Sequence, residues 1–507
     1  MYETRRLITS RRVLAALVLI SAIASATHVL RADQPTSAPL NFVFFLVDDL
    51  GWKDLGCYGS SFYETPNVDA LAARGMRFTN AYAACPVCSP TRASIMAGKY
   101  PARMGTTDYF GAPQPDTLRR REKYDKPLLP ARYLDRLPHA EVTLAEALKQ
   151  AGYATFFAGK WHLGPEGFWP EDQGFDVNRG GITRGGPYGP GKYFSPYGNP
   201  RLKDGPPGEH LPQRLASEAV KFLRDHREKP FLLYFSFYLV HTPLMTRPEL
   251  NAKYESKATT VEHEGPRFMP EGRRRARQVQ DHAVYGGMVE AMDDAVGSVT
   301  KALDELGLTD NTAIIFMSDN GGLSTSEGSP TSNVPLRAGK GWLYEGGIRE
   351  PMIVVWPGRV RAASTCDVPV ISTDFYPTML AMAGLPPRPK QHVDGLSLLP
   401  LITESGSIQR DAIYWHYPHY GNQGGSPGSA IRAGDWKLIE FFENGRTELY
   451  NLRDDIGEMR NLAAQHPQRV KALHDKLKRW REQVGAKLPT HNPKRAGTPN
   501  SVQPSNE

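Results

Sequence analysis

Short apolar runs alternate with amphipathic segments along most of the chain. The runs predict buried strands, because a strand covered on both faces reads as continuous apolar sequence. They span residues 42–47, 155–158, 231–240, 313–317 and 352–356. Helical periodicity predicts helices over residues 67–74, 143–150, 215–227 and 278–306. Strands alternating with helices predict an α/β fold: a large, mainly parallel sheet sandwiched by helices.

The pattern changes near Ile408. Residues 429–442 and 447–452 are typical of antiparallel strands, and residues 467–484 are typical of one charged helix. We therefore predict a large domain and a smaller C-terminal α/β subdomain with an antiparallel sheet and one helix. A tail rich in Pro, Asn and Ser is expected to be disordered. The predicted bounds are 39–405 for the large domain, 406–487 for the subdomain and 488–507 for the tail.

The first 26 residues have the order of a secretory signal peptide. Four arginines precede an apolar run from Val13 to Ile23, and Ala24-Ser25-Ala26 follows. We expect cleavage after this segment, a linker over 27–38, and a periplasmic or secreted protein. The run is shorter than the ~20 apolar residues that span a bilayer, so no stable membrane anchor is expected. A loose twin-arginine match at Ser10-Arg11-Arg12 does not decide the export route.

Charge and cysteine content narrow the class of protein further. Removing residues 1–26 lowers the formal net charge from +7 to about +4, which is not a nucleic-acid-binding signature. Four cysteines are too few for a disulfide framework in an exported chain of this length, and pairing among Cys57, Cys85 and Cys366 stays open. The sequence carries no signal for the oligomeric state.

Polar residues follow four of the predicted strands, at the point where each strand ends. Ligand sites of open α/β sheets lie beyond the carboxyl ends of the strands, so these residues can converge in one crevice. They are Asp48 and Asp49, Lys160 and His162, His241, and Asp319 and Asn320.

Four of these side chains predict a metal site. Asp48, Asp49, Asp319 and Asn320 offer only oxygen donors, which suits Ca²⁺ or Mg²⁺ rather than zinc. Three carboxylates close together would repel one another without a divalent ion. The alternative is that each pair caps a turn, for which Asp319-Asn320-Gly321-Gly322 is suitable chemistry.

Cys88 lies at a predicted helix start. Ser89 can cap a helix whose first residue is Pro90, which places Cys88 just before an N-terminus that favours anions. Arg92, one turn in, can add a charge-assisted contact. Cys85 and Cys88 also form a CxxC pair, which by itself is compatible with a redox pair, half of a zinc site or a disulfide.

Together these motifs resemble the sulfatase family, within the alkaline phosphatase superfamily, from about Asn41 to the C-terminal subdomain. Cys88-Ser89-Pro90-Thr91-Arg92 is similar to the family's C-x-P-x-R signature, with Thr91 where Ser is frequent and Ala97 where Thr is usual before Gly98. The other matching motifs are Asp48-Asp49-Leu50-Gly51, Gly159-Lys160-Trp161-His162-Leu163-Gly164, His241-Thr242-Pro243, Ser318-Asp319-Asn320-Gly321-Gly322, and Lys340 before Glu345-Gly346-Gly347.

The resemblance implies a nucleophile made after translation. Cys88 would be oxidised to formylglycine (3-oxoalanine) by a maturation enzyme, and the hydrated aldehyde would attack sulfur and later release sulfate. One ion, Ca²⁺ in preference to Mg²⁺, would be held by residue 88 and by Asp48, Asp49, Asp319 and Asn320.

The resemblance also implies roles for five other side chains. Arg92 and Lys160 would hold the modified residue and its oxyanion, and Lys340 would bind the sulfate. His241 would protonate the departing alcohol, and His162 would act as the base of the second step. The activity implied is hydrolysis of sulfate monoesters, with an aryl sulfate as a surrogate substrate.

The natural substrate is less clearly indicated. His416 or His419, in an aromatic stretch at 415–420, is predicted to touch the non-sulfated part of a sulfated carbohydrate. A basic run at 273–277 could attract a polyanionic glycan, although a solvated loop is the simpler interpretation. The alternatives are a phosphate or phosphonate monoester hydrolase of the same superfamily, and a non-catalytic binder of sulfated polysaccharide.

Overall fold

A computed structural model describes residues 39–495. The predicted signal peptide (1–26) and linker (27–38) lie outside the described residues, as do residues 496–507. None of the helices between residues 39 and 495 has the length and apolar content needed to cross a bilayer.

The strands were numbered along the chain. They are β1 (Asn41–Val47), β2 (Met76–Tyr82), β3 (Leu128–Leu129), β4 (Ala154–Gly159), β5 (Val177–Arg179), β6 (Phe231–Ser236), β7 (Phe268–Glu271), β8 (Arg274–Arg277), β9 (Thr312–Ser318), β10 (Arg349–Val355), β11 (Ser364–Cys366), β12 (Val370–Ile371), β13 (Ile413–Tyr417), β14 (Gly428–Ala433), β15 (Trp436–Phe441), β16 (Thr447–Asn451) and β17 (Thr490–His491).

The α-helices were numbered in the same way. They are α1 (Pro66–Arg74), α2 (Cys88–Ala97), α3 (Pro101–Met104), α4 (Pro115–Arg120), α5 (Leu144–Gln150), α6 (Leu211–His226), α7 (Pro248–Ala258), α8 (Ala283–Glu305), α9 (Glu345–Ile348), α10 (Phe375–Met382), α11 (Leu399–Ile402) and α12 (Pro467–Gln483). Short 3₁₀ turns cover Gly56–Tyr58, Pro170–Gln173, Thr309–Asn311, Ser372–Asp374 and Pro493–Arg495.

A large mixed sheet forms the centre of the fold. Its strand order is β11-β2-β10-β9-β1-β6-β4-β5, and β12 also pairs with β2. The neighbours β9, β1, β6, β4 and β5 run parallel. Alternate residues of β1 face two separate apolar cores: Val43 and Phe45 point into one, and Phe42 and Phe44 into the other. This two-sided burial confirms the helix-covered, mainly parallel sheet.

The direction of one strand differs from the prediction. The apolar run at 352–356 was expected to be a parallel strand, but β10 pairs antiparallel with both β9 and β2. The strand is buried throughout, as the parallel strands are. An apolar run reports burial on both faces and carries no information on strand direction, which explains the error.

The C-terminal part has the predicted antiparallel sheet and helix. Its strand order is β13-β14-β15-β16, all antiparallel, and α12 contacts the first three of these strands. The predicted run at 429–442 is two strands joined by a turn, and β13 precedes them. The two sheets meet in one apolar core, where Trp415 also donates its indole N–H to the carbonyl oxygen of Ala83. The domain boundary at 405/406 stays a prediction.

The tail expected from residue 488 is ordered where the structure describes it. Strand β17 pairs with β3, and a 3₁₀ turn follows at Pro493–Arg495. Asn492 anchors the segment, since its backbone N–H donates to Pro127 O and its side chain to Lys126 O. Composition alone does not reveal such a pairing across the chain.

Candidate active site

The candidate site lies at the carboxyl ends of the central parallel strands. Val47 of β1 is in register with Ser318 of β9, so the residues that follow each strand emerge side by side. Leu46 of β1 and Gly159 of β4 both lie opposite Ser236 of β6. Register therefore brings Asp48, Asp49, Asp319 and Asn320 beside Lys160, as the sequence predicted.

Three carboxylates and one amide form a buried cluster. Oxygens of Asp48, Asp49 and Asp319 lie within 4.8 Å of one another, and all three side chains are fully buried. Asn320 donates from Nδ2 to Asp49 Oδ1 at 2.8 Å, which leaves its Oδ1 as a free acceptor. Asp48 Oδ1 also accepts no hydrogen bond from the described residues, the nearest cation being Arg92 Nη2 at 3.6 Å. An all-oxygen set with unused acceptors fits a hard divalent cation.

The cluster is electrostatically strained as it stands. Burial raises the pKa of Asp48 well above its usual value, and Asp319 and Asp49 add to the rise in spite of the Lys160 ammonium. Burial also opposes ionisation of Asp49, but Lys340 and His241 lower the pKa of that carboxyl below its usual range. A divalent ion among the carboxylates would favour their ionised forms.

Cys88 is the first residue of α2, and the residue before it, Val87, is in an extended conformation. The predicted Ser89 cap is wrong: the Ser89 hydroxyl accepts from Phe110 N–H at 3.0 Å. The helix thus begins two residues earlier than a Ser-Pro start implies, and Cys88 belongs to the helical N-terminus. Its Sγ marks the position of the candidate nucleophile, 3.4 Å from His162 Nδ1.

Arg92 joins the nucleophile helix to the carboxylates. Its Nε and Nη2 both lie 2.7 Å from Asp319 Oδ2, a charge-assisted contact. Its Nη1 donates to the carbonyl of Lys160 at 2.8 Å and to the hydroxyl of Ser236 at 2.6 Å. The guanidinium therefore ties α2 to the ends of β4, β6 and β9 and is held in one orientation.

Two buried lysines complete the cationic side of the site. Lys160 Nζ lies 2.6 Å from Asp48 Oδ2, and Lys340 Nζ lies 2.7 Å from Asp49 Oδ1. Although burial opposes it, the neighbouring carboxylates raise the pKa of both ammonium groups. Three permanent cations match three carboxylates, so a bound divalent ion would leave the site net positive and suited to an anionic substrate.

The acceptors around the two histidines indicate which ring nitrogen carries hydrogen. His162 Nε2 lies 2.8 Å from the carbonyl of Phe110, so Nε2 donates and Nδ1 faces Cys88 as an acceptor. His241 Nδ1 lies 2.7 Å from Thr242 O, so Nε2 is directed toward Asp49 Oδ2, 3.8 Å away. Burial, then the nearby lysines, lower the pKa of both rings well below the usual value.

Backbone conformation at the site is unusual at two functional residues. Asp49 and His162 have φ of 62° and 57°, in the left-handed region that non-glycine residues rarely adopt. Such strain is maintained by surrounding contacts and clusters at functional sites. Gly159, just before Lys160, has φ of 98°, and a Cβ there would lie 1.8 Å from Ser236 O. Only glycine permits the close approach that places Lys160.

A cavity of about 450 Å³ opens over these groups. Cys88, His162, His241 and Lys340 line it as predicted. The sequence interpretation missed several lining residues, which come from long loops whose paths no periodic pattern predicts. They are Tyr109, Phe110, Tyr188, Thr242, Glu327, Asn422 and Gln423.

Glu327 is the most informative of the missed residues. One of its carboxylate oxygens lies within 4.8 Å of a ring nitrogen of His241 and a carboxylate oxygen of Asp49. Asn422 Nδ2 and Gln423 Nε2 both donate to its Oε1 at 2.8 Å. A carboxylate is therefore held at the wall of a cavity whose other charged groups favour an anion.

The two histidines predicted to touch substrate do not line the cavity. His416 is buried, with Nδ1 2.7 Å from Ser429 Oγ and Nε2 2.9 Å from Lys487 O. His419 is buried too, between Thr107 Oγ1 at 2.9 Å and Asp108 Oδ2 at 3.3 Å. Both rings have structural partners in the core, so the structure does not support a direct contact with substrate.

The cysteines are not paired with one another. Cys57, Cys85, Cys88 and Cys366 are all free thiols in the structure. Burial raises the pKa of Cys85 well above its usual value, so this neighbour of Cys88 stays a protonated thiol. The disulfide interpretation of the CxxC pair is therefore wrong for this structure.

Comparison with known proteins assigns the family. The model of the sulfatase family matches residues 40–385, and that of the N-sulphoglucosamine sulphohydrolase C-terminal region matches residues 338–483. A sulfatase of Formosa agariphila is 32% identical, with 93% of each chain covered. Human N-acetylgalactosamine-6-sulfatase is 34% identical over 74% of this chain and 68% of its own. The crystal structure of Ps i-CgsB superposes with a TM-score of 0.71 at 29% identity, covering 87% of this chain and 93% of that one. The chain belongs to the sulfatase family and is a sulfuric ester hydrolase.

Proposed function

We propose that the protein hydrolyses sulfate monoesters of carbohydrates through a formylglycine made from Cys88. The observation that carries the proposal is the position of Cys88 Sγ, at the start of α2 and 3.4 Å from an acceptor nitrogen of His162. Lys340 lines the same cavity and pairs with Asp49 of the carboxylate cluster, with which Arg92 and Lys160 also pair through Asp48. A nucleophile, a base and a cationic anion site thus meet in one place.

The cluster is proposed to hold one Ca²⁺ through Asp48, Asp49, Asp319 and Asn320. Its all-oxygen donors and the unused oxygens of Asp48 and Asn320 support this choice. A bound ion would act as a Lewis acid, withdrawing charge from the sulfate group. By resemblance to the sulfatase family, residue 88 is proposed as a further ligand.

The aldehyde at residue 88 supplies, once hydrated, one hydroxyl as nucleophile and a second whose deprotonation expels sulfate. His162 Nδ1 faces this residue as an acceptor and is the proposed base for that deprotonation. Arg92, fixed by Asp319 and Ser236, and Lys160, paired with Asp48, orient the residue and stabilise negative charge on its oxygen.

The departing alcohol needs a proton when the ester S–O bond breaks. His241 directs Nε2 into the cavity beside Asp49, and in its imidazolium form it is the proposed donor. The Asp49 carboxylate and the anionic sulfate group would favour that protonated form. Lys340 lines the same wall and would bind a sulfate oxygen. The net reaction consumes one water and yields the alcohol and inorganic sulfate.

A sulfated carbohydrate is the proposed substrate class. The relatives include an N-acetylgalactosamine-6-sulfatase, and Ps i-CgsB is also known in complex with k-i-k-neocarrahexaose. The cavity is walled by Tyr109 and Tyr188 and by the amides of Asn422 and Gln423, groups that pack on or hydrogen-bond to sugars. Export to the periplasm or cell exterior and maturation by a formylglycine-generating enzyme belong to the same proposal.

The test is release of sulfate and phosphate from a matched pair of aryl esters, using protein co-expressed with a maturation enzyme and saturated with Ca²⁺. Sulfate release in excess of phosphate release supports the proposal. Dominant phosphate release would favour the phosphate or phosphonate monoester hydrolase instead. Binding of sulfated glycan without any turnover by fully converted protein would indicate the non-catalytic alternative.

A further inference from the structure

A second, larger groove of about 610 Å³ lies next to the catalytic cavity. It is bounded by the turn between β7 and β8, by the loop that follows β13, and by β15 of the C-terminal sheet. The two spaces share their walls: Lys340 and Gln423 line the cavity, whereas Trp342 and Gly424 line the groove. Residues 340 and 342 are at most about 7.6 Å apart along the chain.

The shared wall is held in place by direct contacts. Trp342 donates from Nε1 to Gln423 O at 3.1 Å, and Arg274 donates from Nη2 to Asn422 O at 2.5 Å. A Cβ on Gly424 would lie 2.7 Å from the Trp342 ring, so the loop packs closely against it. The loop therefore forms a fixed partition between the cavity and the groove.

Some of the positive charge in the groove is already neutralised. Arg337 makes a bidentate ion pair with Glu271, both distances being 2.9 Å. Arg446 pairs with Glu448. The uncharged Tyr420 hydroxyl also donates a hydrogen bond to the Glu443 carboxylate at 2.7 Å. These groups stabilise the walls and are less available to a ligand.

Four other cations that line the groove have no carboxylate partner among residues 39–495: Lys126, Arg273, Arg274 and Arg495. Arg273 is exposed at the β7–β8 turn, and Arg274 contacts only the backbone oxygen of Asn422. Lys126 Nζ lies 5.3 Å from the centre of the Tyr420 ring. The carboxylates that remain near them are Asp125 and Glu443, so the free charge of the groove is positive.

We infer that this groove binds a second sulfate group, carried by a neighbouring sugar of the chain whose terminal sulfate ester enters the catalytic cavity. This inference rests on the proposed function. Lys126 and Arg273 would contact the sulfate, and the Tyr420 ring would pack on a sugar face. The enzyme would then act on a multiply sulfated oligosaccharide in preference to a single sulfated sugar.

The test measures binding to protein carrying Cys88→Ala, which cannot turn substrate over, in Ca²⁺ buffer by titration calorimetry. The probes are a carrageenan hexasaccharide and a chondroitin sulfate hexasaccharide, with unsulfated chondroitin hexasaccharide to reveal recognition of uronate carboxylates alone. Lys126→Ala/Arg273→Ala removes the two cations that are proposed to contact the sulfate. Lys123→Ala/Arg275→Ala is the matched control, because neither residue lines the groove and Arg275 lies over the Phe268 ring, 5.3 Å from its centre.

We expect the Lys126→Ala/Arg273→Ala variant to bind at least one sulfated hexasaccharide about 10-fold more weakly than the Lys123→Ala/Arg275→Ala control. A loss of this size corresponds to two screened charge contacts. The loss should shrink at high salt. Equal affinity of the two variants, or no binding of either sulfated probe, overturns the inference. An equal loss of affinity for unsulfated chondroitin hexasaccharide would show that the groove binds uronate carboxylates. That result would also overturn the inference. Aryl sulfate turnover by protein with Cys88 intact decides the proposed function separately.

Discussion

The Sγ atom of Cys88 lies 3.4 Å from Nδ1 of His162, whose other ring nitrogen is bound to the carbonyl of Phe110. The proposed base is therefore oriented toward the proposed nucleophile by the backbone of another loop. Cys85, three residues earlier in the chain, is buried and does not line the cavity. The two cysteines make a matched pair for mutation.

Cys88→Ala should abolish sulfate release from an aryl sulfate, whereas Cys85→Ala should keep most of it. Of the two cysteines, Cys88 lines the cavity and is the one proposed to become the aldehyde. Peptide mass spectrometry should find the loss of the thiol sulfur at residue 88 in wild-type and Cys85→Ala protein alike. Turnover by the Cys88→Ala variant would refute the assigned nucleophile.

The two histidines should respond differently to the leaving group. His162→Ala and His241→Ala should each slow turnover by about 10² to 10⁴, the usual contribution of a proton-transfer residue. For His241 the loss should shrink as the alcohol becomes more acidic, because a good leaving group needs no proton. Rates across a series of substituted phenyl sulfates measure this, and identical slopes for the two variants would contradict the separate roles.

Removal of the divalent ion should stop catalysis and lower thermal stability. Without the ion, the buried carboxylates of Asp48, Asp49 and Asp319 repel one another. Ca²⁺ at about 100 times its Kd should restore ~2.7 kcal/mol of stability and raise Tm. Asp319→Asn should weaken Ca²⁺ binding and also lower the apo Tm, because it removes the charge of the buried contact with Arg92. A Tm that does not respond to Ca²⁺ would argue against the site.

Glu327 should weaken the binding of anions in the cavity. Glu327→Gln removes a negative charge near His241 and Asp49 while keeping an oxygen for the two amide donors at positions 422 and 423. Inorganic sulfate should inhibit this variant at about 5-fold lower concentration than the wild type, since a screened repulsion of about 1 kcal/mol is lost. Glu327→Asp, which keeps the charge, is the control. Unchanged inhibition would mean that the carboxylate does not act on the bound anion.

A buried charge cluster in the second sheet should make stability depend on pH. Lys437 pairs with Glu345 and Glu458, each at 2.9 Å. Burial raises the pKa of Glu458 to about 7 in spite of Lys437, with Glu345 adding to the rise. A carboxyl with a raised pKa contributes stability that is complete below its unfolded pKa and is lost as pH rises through about 7.

Glu458→Gln resembles the protonated acid and should remove part of that pH dependence. Between about pH 4.5 and pH 7 its Tm should fall less than that of the wild type. Calorimetric Tm values across this range test the expectation, with Glu404→Gln on the surface as the control. A parallel decline in the two Tm curves would show that Glu458 does not titrate there.

Much of the catalytic site was predictable because it follows from strand order along the chain. Asp48, Lys160 and Asp319 each come directly after an apolar run, and parallel strands bring their carboxyl ends to one edge. Each predicted member of the site except His416 and His419 lies at that edge. Local sequence is sufficient here, since the position of a residue just after a buried strand defines where it emerges from the sheet.

The sequence by itself determined the buried strands, the residues that follow them and the motifs that resemble sulfatases. Tertiary structure decided the antiparallel direction of β10, the burial of His416 and His419, and the entry of Glu327 and Gln423 into the cavity. A buried strand can be predicted from local composition, because burial depends on the apolar character of each residue. Strand direction and loop paths depend on partners distant in the chain, which no local pattern records.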